Sequence, residues 1–111
     1  MKLSTEESIV TQEGASHFRE FVAVGGELVL TNKRLVFNST SRLSPKSRLE
    51  VQLDRIDSID YFMTLNICPN GIMLMLKDGT MESFIVDDRK QWKSRIQEYI
   101  GQGIKPNSIN T

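Results

Sequence analysis

The sequence has one cysteine, one histidine and no excess of charge of either sign, and each shortage excludes a class of function. A single thiol, Cys68, can form neither an intramolecular disulfide nor a cysteine-built metal site. Any Ser–His–acid or Cys–His catalytic unit would have to recruit His17, and no nucleophile-elbow motif lies near it. Lysine plus arginine equal aspartate plus glutamate at 14 each, so no global field of one sign attracts nucleic acid. We therefore expect a non-catalytic protein without a cofactor.

Long apolar runs are also missing from the chain. None approaches the roughly 20 residues that a membrane-spanning helix needs. The first seven residues carry two glutamates and no apolar stretch, unlike a secretory signal. The 111 residues fit one domain. We expect a cytoplasmic protein with a flexible N-terminus at residues 1–7, one domain at residues 8–101 and a flexible tail at residues 102–111.

Short segments of alternating polarity, separated by turn residues, predict about seven antiparallel strands. These segments are residues 8–13, 27–31, 34–38, 49–53, 56–63, 72–76 and 81–86. Residues 15–24 fit neither the helical nor the strand period, and we expect a loop there. Turns are predicted at Asn32, a residue type that tolerates positive φ, at Pro69-Asn70-Gly71 and at Lys77-Asp78-Gly79. Slipped alternation between Ile56 and Ile59 predicts a bulge.

The last segment has helical periodicity. Asp88 and Gln91 have the spacing of a capping box, and Gly101 is suited to end the helix. Four apolar residues between them form one stripe, namely Trp92, Ile96, Tyr99 and Ile100. The pattern therefore predicts a mainly β fold, an antiparallel barrel of about seven strands that one C-terminal helix closes.

One motif resembles a known family. The run Gly26 to Phe37 reads G-E-L-V-L-T-N-K-R-L-V-F and is followed by Leu53-Asp54-Arg55-Ile56, Asn70-Gly71, Lys77-Asp78-Gly79, residues 82–86, and Trp92 with Ile96. In this order, from about Ala15 to Ile100, the chain resembles the GRAM domain family, a branch of the pleckstrin-homology-like barrels. It is similar to small free-standing bacterial members. The resemblance implies a pleckstrin-homology-like barrel and an adaptor module that binds phosphoinositides or proteins.

Basic residues are concentrated in one stretch without acids, which we call the basic rim. Its members are Lys33, Arg34, Arg42, Lys46 and Arg48. Such a rim could bind anionic phospholipid or phosphoinositide headgroups at a membrane surface. Five cations would contribute at most about 5 kcal/mol, which corresponds to a dissociation constant of about 0.1–1 mM. The alternative is an ordinary hairpin followed by a solvated loop.

The strand at residues 72–76 is apolar on both faces. Ile72, Leu74 and Leu76 point to one side, while Met73 and Met75 point to the other. The two methionines either belong to the core or form an interface with a partner protein, a peptide or a second copy. We do not expect nucleic acid as a partner, because Phe37, Phe62 and Phe84 lie on separate strands and the helix suits a closed barrel.

Overall fold

A computed structural model describes residues 2–20, 22–40, 48–64 and 68–104. Seven strands come first, interrupted by a short 3₁₀ turn (Leu53–Arg55), and one helix follows. The strands are β1 (Ile9–Arg19), β2 (Val22–Thr31), β3 (Arg34–Ser39), β4 (Arg48–Gln52), β5 (Ile56–Thr64), β6 (Cys68–Leu76) and β7 (Met81–Ile85); the helix is α1 (Arg89–Ile104).

All strands belong to one antiparallel sheet in the order β4-β3-β2-β1-β7-β6-β5. The two end strands, β4 and β5, follow one another in the chain and are joined by the 3₁₀ turn. In the β2–β3 hairpin, Leu30 lies opposite Leu35 and Leu28 lies opposite Phe37, so these four side chains share one face. That face is buried.

The core lies between the concave side of this sheet and α1. Strand residues contribute Leu28, Leu30, Leu35, Phe37, Val51, Ile56, Ile59, Ile72, Leu74 and Phe84. The helix adds Trp92, which is 2% exposed, and Ile96, and it packs against the 3₁₀ turn, β5 and β6. The indole N–H of Trp92 donates to Glu13 Oε1 at 3.0 Å. Asp88 Oδ1 accepts the amide of Gln91 at 3.1 Å, which satisfies an otherwise unpaired donor of the first turn. The predicted sheet of seven strands with a closing helix is confirmed.

The loop predicted for residues 15–24 is wrong. β1 continues to Arg19 and β2 begins at Val22. Glu20, between the two strands, has a φ of 53°, in the left-handed region that glycine or asparagine usually occupies. The turn carries no glycine, asparagine or proline, so the sequence offered no signal for it.

The turn predicted at Pro69-Asn70-Gly71 is also wrong, because these residues lie inside β6. Gly71 pairs with Phe62 of β5. A Cβ at Gly71 would approach the Phe62 ring to 2.5 Å, so the glycine makes room for that ring rather than turning the chain.

Two other local predictions are confirmed, and the predicted end of the helix is wrong. The register of β5 against β6 shifts between Ile56 and Ser58, where a bulge was predicted. Gly79, in the turn between β6 and β7, has a φ of 91°. The helix continues three residues beyond Gly101, where the sequence predicted its end.

Candidate functional site

The turn between β2 and β3 holds the N-terminal segment of the chain; we call residues 31–34 the hairpin corner. Asn32 accepts the amide of Ser8 at 2.9 Å through Oδ1 and donates from Nδ2 to the carbonyl of Glu6 at 3.0 Å. Lys33 Nζ donates to the carbonyl of Thr5 at 2.9 Å. Asn32 does not have the positive φ that was predicted, so its side chain serves these hydrogen bonds instead of the turn conformation.

A buried ion pair lies at the centre of this contact. Arg34 donates from Nε to Glu7 Oε2 at 2.7 Å and from Nη2 to Oε1 at 3.1 Å. The Thr31 hydroxyl donates to Oε2 at 2.6 Å, and the Ser4 amide donates to Oε1 at 2.9 Å. The Glu7 side chain is 1% exposed. The hydrogen bond from Arg34 is the largest cause that lowers the pKa of Glu7 to about 2, against the opposing effect of burial.

Sequence analysis missed Glu7, which lies in the segment predicted to be flexible. The spacing Ser4-x-x-Glu7, in which Ser4 and Glu7 bond each other reciprocally, is a signal that could have indicated an ordered turn. The predicted domain boundaries stay predictions. Glu7 precedes residue 8, the predicted start of the domain, and its side chain contacts Thr31 and Arg34 within the domain.

The structure brings together two arginines of the basic rim and surrounds them with acids. Glu50 Oε1 lies 3.1 Å from Arg34 Nη1 and 3.4 Å from Arg48 Nη1. The hydrogen bond to Glu7, together with the charge of Glu50, raises the pKa of Arg34 above its ordinary value. Lys33 is exposed next to this group. Arg42 and Lys46 lie outside the residues that the structure describes.

A second surface is the outer side of β5, β6 and β7 together with the adjoining end of β1, facing away from the core. Met73 is opposite Ser83 and Met75 is opposite Met81, so these side chains share a face. The Phe62 ring lies over Gly71 on this face. We call the group the methionine face; its members are Phe18, Phe62, Met73, Met75, Met81 and Ile85.

The methionine face is apolar and partly exposed, and a cation of α1, Arg89, donates to the backbone carbonyl of Phe62 at its edge. Met81 is 55% exposed, and Met73 and Met75 are half-buried. The rings of Phe18 and Phe62 contact each other with centroids 5.7 Å apart, across β6 and β7. Asp60 lies directly opposite Met73 at the border of the face. The strands β5, β6 and β7 contain no lysine or arginine.

A third surface is the first half of α1, where we call Arg89, Lys90, Lys93 and Arg95 the helix cations. Arg89 lies 4.3 Å and Lys93 4.8 Å from the centroid of the Tyr61 ring. Arg89 Nη1 also donates to the carbonyl of Phe62 at 3.1 Å. Among described residues, none of the four helix cations forms an ion pair with a carboxylate.

Sequence analysis missed the helix cations, although their density is a clear signal. Residues 89–95 hold four cations in seven positions and no acid, whereas the basic rim spreads five over sixteen. The strong apolar stripe around Trp92 directed the interpretation of this segment towards the core.

His17 has a structural environment. Its Nε2 lies 2.9 Å from Glu82 Oε1, and its ring contacts Phe37 and Phe84 of the core. Within the described ranges, no group of three or more histidine, cysteine, aspartate or glutamate residues could hold a metal ion. No helix in the described part of the chain has both the length and the apolar character needed to cross a bilayer.

Comparisons with known proteins identify the fold. No protein-family model matches the chain, and no curated protein matches it. Solved structures do match. The N-terminal PH domain of Vps36 has a TM-score of 0.72 at 14% identity, covering 93% of this chain and 85% of that one. A C-terminal domain from Leishmania infantum has a TM-score of 0.70 at 13% identity, covering 86% of each chain. The Slm1 PH domain in complex with inositol-4-phosphate has a TM-score of 0.62 at 14% identity, covering 83% of this chain and 97% of that one. The chain has the pleckstrin-homology-like fold.

Proposed function

We propose that the chain is a non-catalytic binding module of the GRAM type that docks a partner protein on the methionine face. The observation that carries the proposal is the group of apolar side chains on the outer side of β5, β6 and β7, among them the half-buried Met73 and Met75 and the exposed Met81. The same strands already bury Ile72, Leu74 and Phe84 on their inner side, so the outer residues are not needed to fill the core. Large exposed apolar patches on soluble domains usually mark interaction sites.

The charge around the face defines the partner. Asp60 borders Met73, Asp57 is exposed on the same edge strand, and no cation lies on the three strands. A partner that inserts apolar side chains between the methionines and carries lysine or arginine at their flanks is complementary to this surface. Methionine side chains adapt to such a partner because their thioethers are flexible and polarizable.

The test uses two fluorescent amphipathic helical peptides, one built from leucine and lysine and one from leucine and glutamate. Anisotropy titration of the full chain should detect binding of the lysine peptide only. The double variant Met73→Gln/Met75→Gln should weaken that binding at least about tenfold, which corresponds to about 1.4 kcal/mol. Leu3→Gln, a matched change of another exposed apolar residue, should not.

Three results would contradict the proposal. These are equal binding of both peptides, an unchanged affinity of the methionine variant, and a stable dimer through the methionine face in light scattering. The last would assign the face to a second copy of the chain.

A second candidate function is docking on anionic lipid headgroups at the cytoplasmic side of a membrane. It is favoured by the Slm1 PH domain, which has the same fold and was solved with inositol-4-phosphate. The predicted contacts are the basic rim. The pairing of Arg34 and Arg48 with acids lowers the rim's contribution below the roughly 5 kcal/mol that five unpaired cations would supply. Sedimentation with anionic vesicles, reversed by salt, tests this function, and charge reversal at Arg42 and Lys46 tests the rim.

A further inference from the structure

We infer that the surface of this chain that meets an anionic membrane is the first half of α1, not the basic rim. The inference rests on the second candidate function and assigns a different site to it. It starts from the four helix cations and from what surrounds them.

The described cations of the two surfaces differ in whether they are paired with acids. At the hairpin corner, Glu7 and Glu50 lie within ion-pairing distance of Arg34, and Glu50 also lies close to Arg48. No acid among the described residues forms an ion pair with a helix cation. A cation already paired with a carboxylate would have to give up that partner before it binds a phosphate, whereas a cation without a carboxylate partner would not.

The acids closest in sequence to the helix cations are Asp87 and Asp88. The Asp88 carboxylate accepts the Gln91 amide and is therefore engaged in capping the helix. Subtracting these two acids from the four cations leaves residues 87–95 with two positive charges in excess.

Two of the helix cations are held in place by neighbouring groups. Arg89 and Lys93 lie one helical turn apart, and like charges at this spacing repel each other. The Tyr61 ring attracts both, and the Phe62 carbonyl also binds Arg89. The two positive groups are thus held close together before any ligand arrives, which lowers the entropy that binding must remove.

The residues near these cations include exposed aromatic and apolar side chains. Tyr61, which contacts both cations, is 38% exposed, and Met63, one residue beyond the carbonyl that Arg89 binds, is 52% exposed. An aromatic residue and an exposed apolar side chain beside cations suit the interfacial region of an anionic bilayer. These side chains would add apolar contacts to the attraction between charges, which alone is too weak to hold a protein on a membrane.

The experiment is sedimentation of the full chain with vesicles of phosphatidylcholine alone or with phosphatidylserine. The helix variant is Lys90→Glu/Lys93→Glu; glutamate near a helix N-terminus preserves the helix. The matched control, Lys33→Glu/Arg48→Glu, changes the net charge equally at the basic rim. Both variants are first checked for a native circular-dichroism spectrum and melting transition.

We expect the wild type to bind only the phosphatidylserine vesicles and to be released by salt. The helix variant should lose at least about tenfold in partitioning, and the control should lose less than about threefold. A larger loss in the control than in the helix variant overturns the inference and leaves membrane docking through the rim standing. Absence of wild-type binding to either vesicle overturns both.

Discussion

The hairpin corner and the first half of α1 are both rich in cations, but the fold treats them in opposite ways. At the corner, Arg34 is surrounded by Glu7, Thr31 and Glu50 and serves to hold the N-terminal segment on the sheet. On the helix, Arg89 and Lys93 lie against an aromatic ring, Arg89 also donates to a backbone carbonyl, and neither pairs with an acid of the described residues. The number of lysines and arginines in a segment therefore does not measure the charge that the segment presents to a ligand.

The difference also separates stability from binding. A buried, hydrogen-bonded ion pair is expensive to break, so the corner should matter for folding. Cations on the helix surface should contribute about 1 kcal/mol or less to folding, so their effect should be visible mainly in binding. Substitutions at the two regions should therefore differ in their effect on stability.

Breaking the buried pair should have the largest effect on stability. Arg34→Met leaves the Glu7 carboxylate buried without its partner, and we expect a loss of about 3 kcal/mol or more in the free energy of unfolding. Urea denaturation measures it. The double variant Glu7→Gln/Arg34→Met should lose less than the sum of the single variants, because it leaves no charge unpaired. Lys90→Met, an exposed cation of α1, should stay within about 0.5 kcal/mol; equal losses at both positions would refute the division.

Acid should weaken the protein through Glu7. Its pKa is lowered from 4.5 to about 2 in the folded state, so the stabilisation is complete above pH 4.5 and disappears as the pH falls towards 2. A shift of this size corresponds to about 3 kcal/mol. Urea midpoints measured from about pH 6 down to about pH 2 should fall more steeply for the wild type than for Glu7→Gln, because the Glu7 carboxylate takes up its proton in this interval. Parallel curves would show that Glu7 is not responsible.

Removing the ring between the helix cations should have a smaller effect. Tyr61→Leu keeps an apolar side chain but removes the attraction of the ring for Arg89 and Lys93. We expect the free energy of unfolding to fall by about 1 kcal/mol. Tyr61→Phe keeps the ring and should unfold at the same urea concentration as the wild type. A loss in the phenylalanine variant as large as in the leucine variant would assign the effect to the hydroxyl group instead.

The smallest effect is expected at Arg48. Its side chain is 45% exposed and lies 3.4 Å from Glu50, so the pair is largely screened by solvent. Arg48→Gln should change the free energy of unfolding by less than about 0.5 kcal/mol. Glu50→Gln, which also removes a partner of the half-buried Arg34, should cost more in the same urea titration. A larger loss of unfolding free energy for Arg48→Gln than for Glu50→Gln would contradict this prediction.

Where local patterns were strong, the sequence predicted the fold well. The β2–β3 hairpin, the alternating strand around Val51, the turn at Gly79 and the helix around Trp92 all carry their own signals of period or turn chemistry. The failures occurred at positions whose role depends on a distant residue. Gly71 has the appearance of a turn residue, but its function is to make room for Phe62 on the neighbouring strand.

The candidate surfaces were predicted only in part. Met73 and Met75 were identified as a face because alternation within one strand defines which side chains share a side. Phe18 and Phe62, which complete that face, come from β1 and β5 and could not be joined to it without the strand order. The helix cations are visible in the sequence, but whether an acid neutralises them is not.

The sequence by itself determined the number of strands, the closing helix and the alternation that separates the core from the surface, because these depend on periods within a few residues. Only the tertiary structure decided which charges remain available. The acid that neutralises Arg34 lies 27 residues earlier in the chain, and Tyr61 lies 28 residues before Arg89, so folding alone brings these groups together.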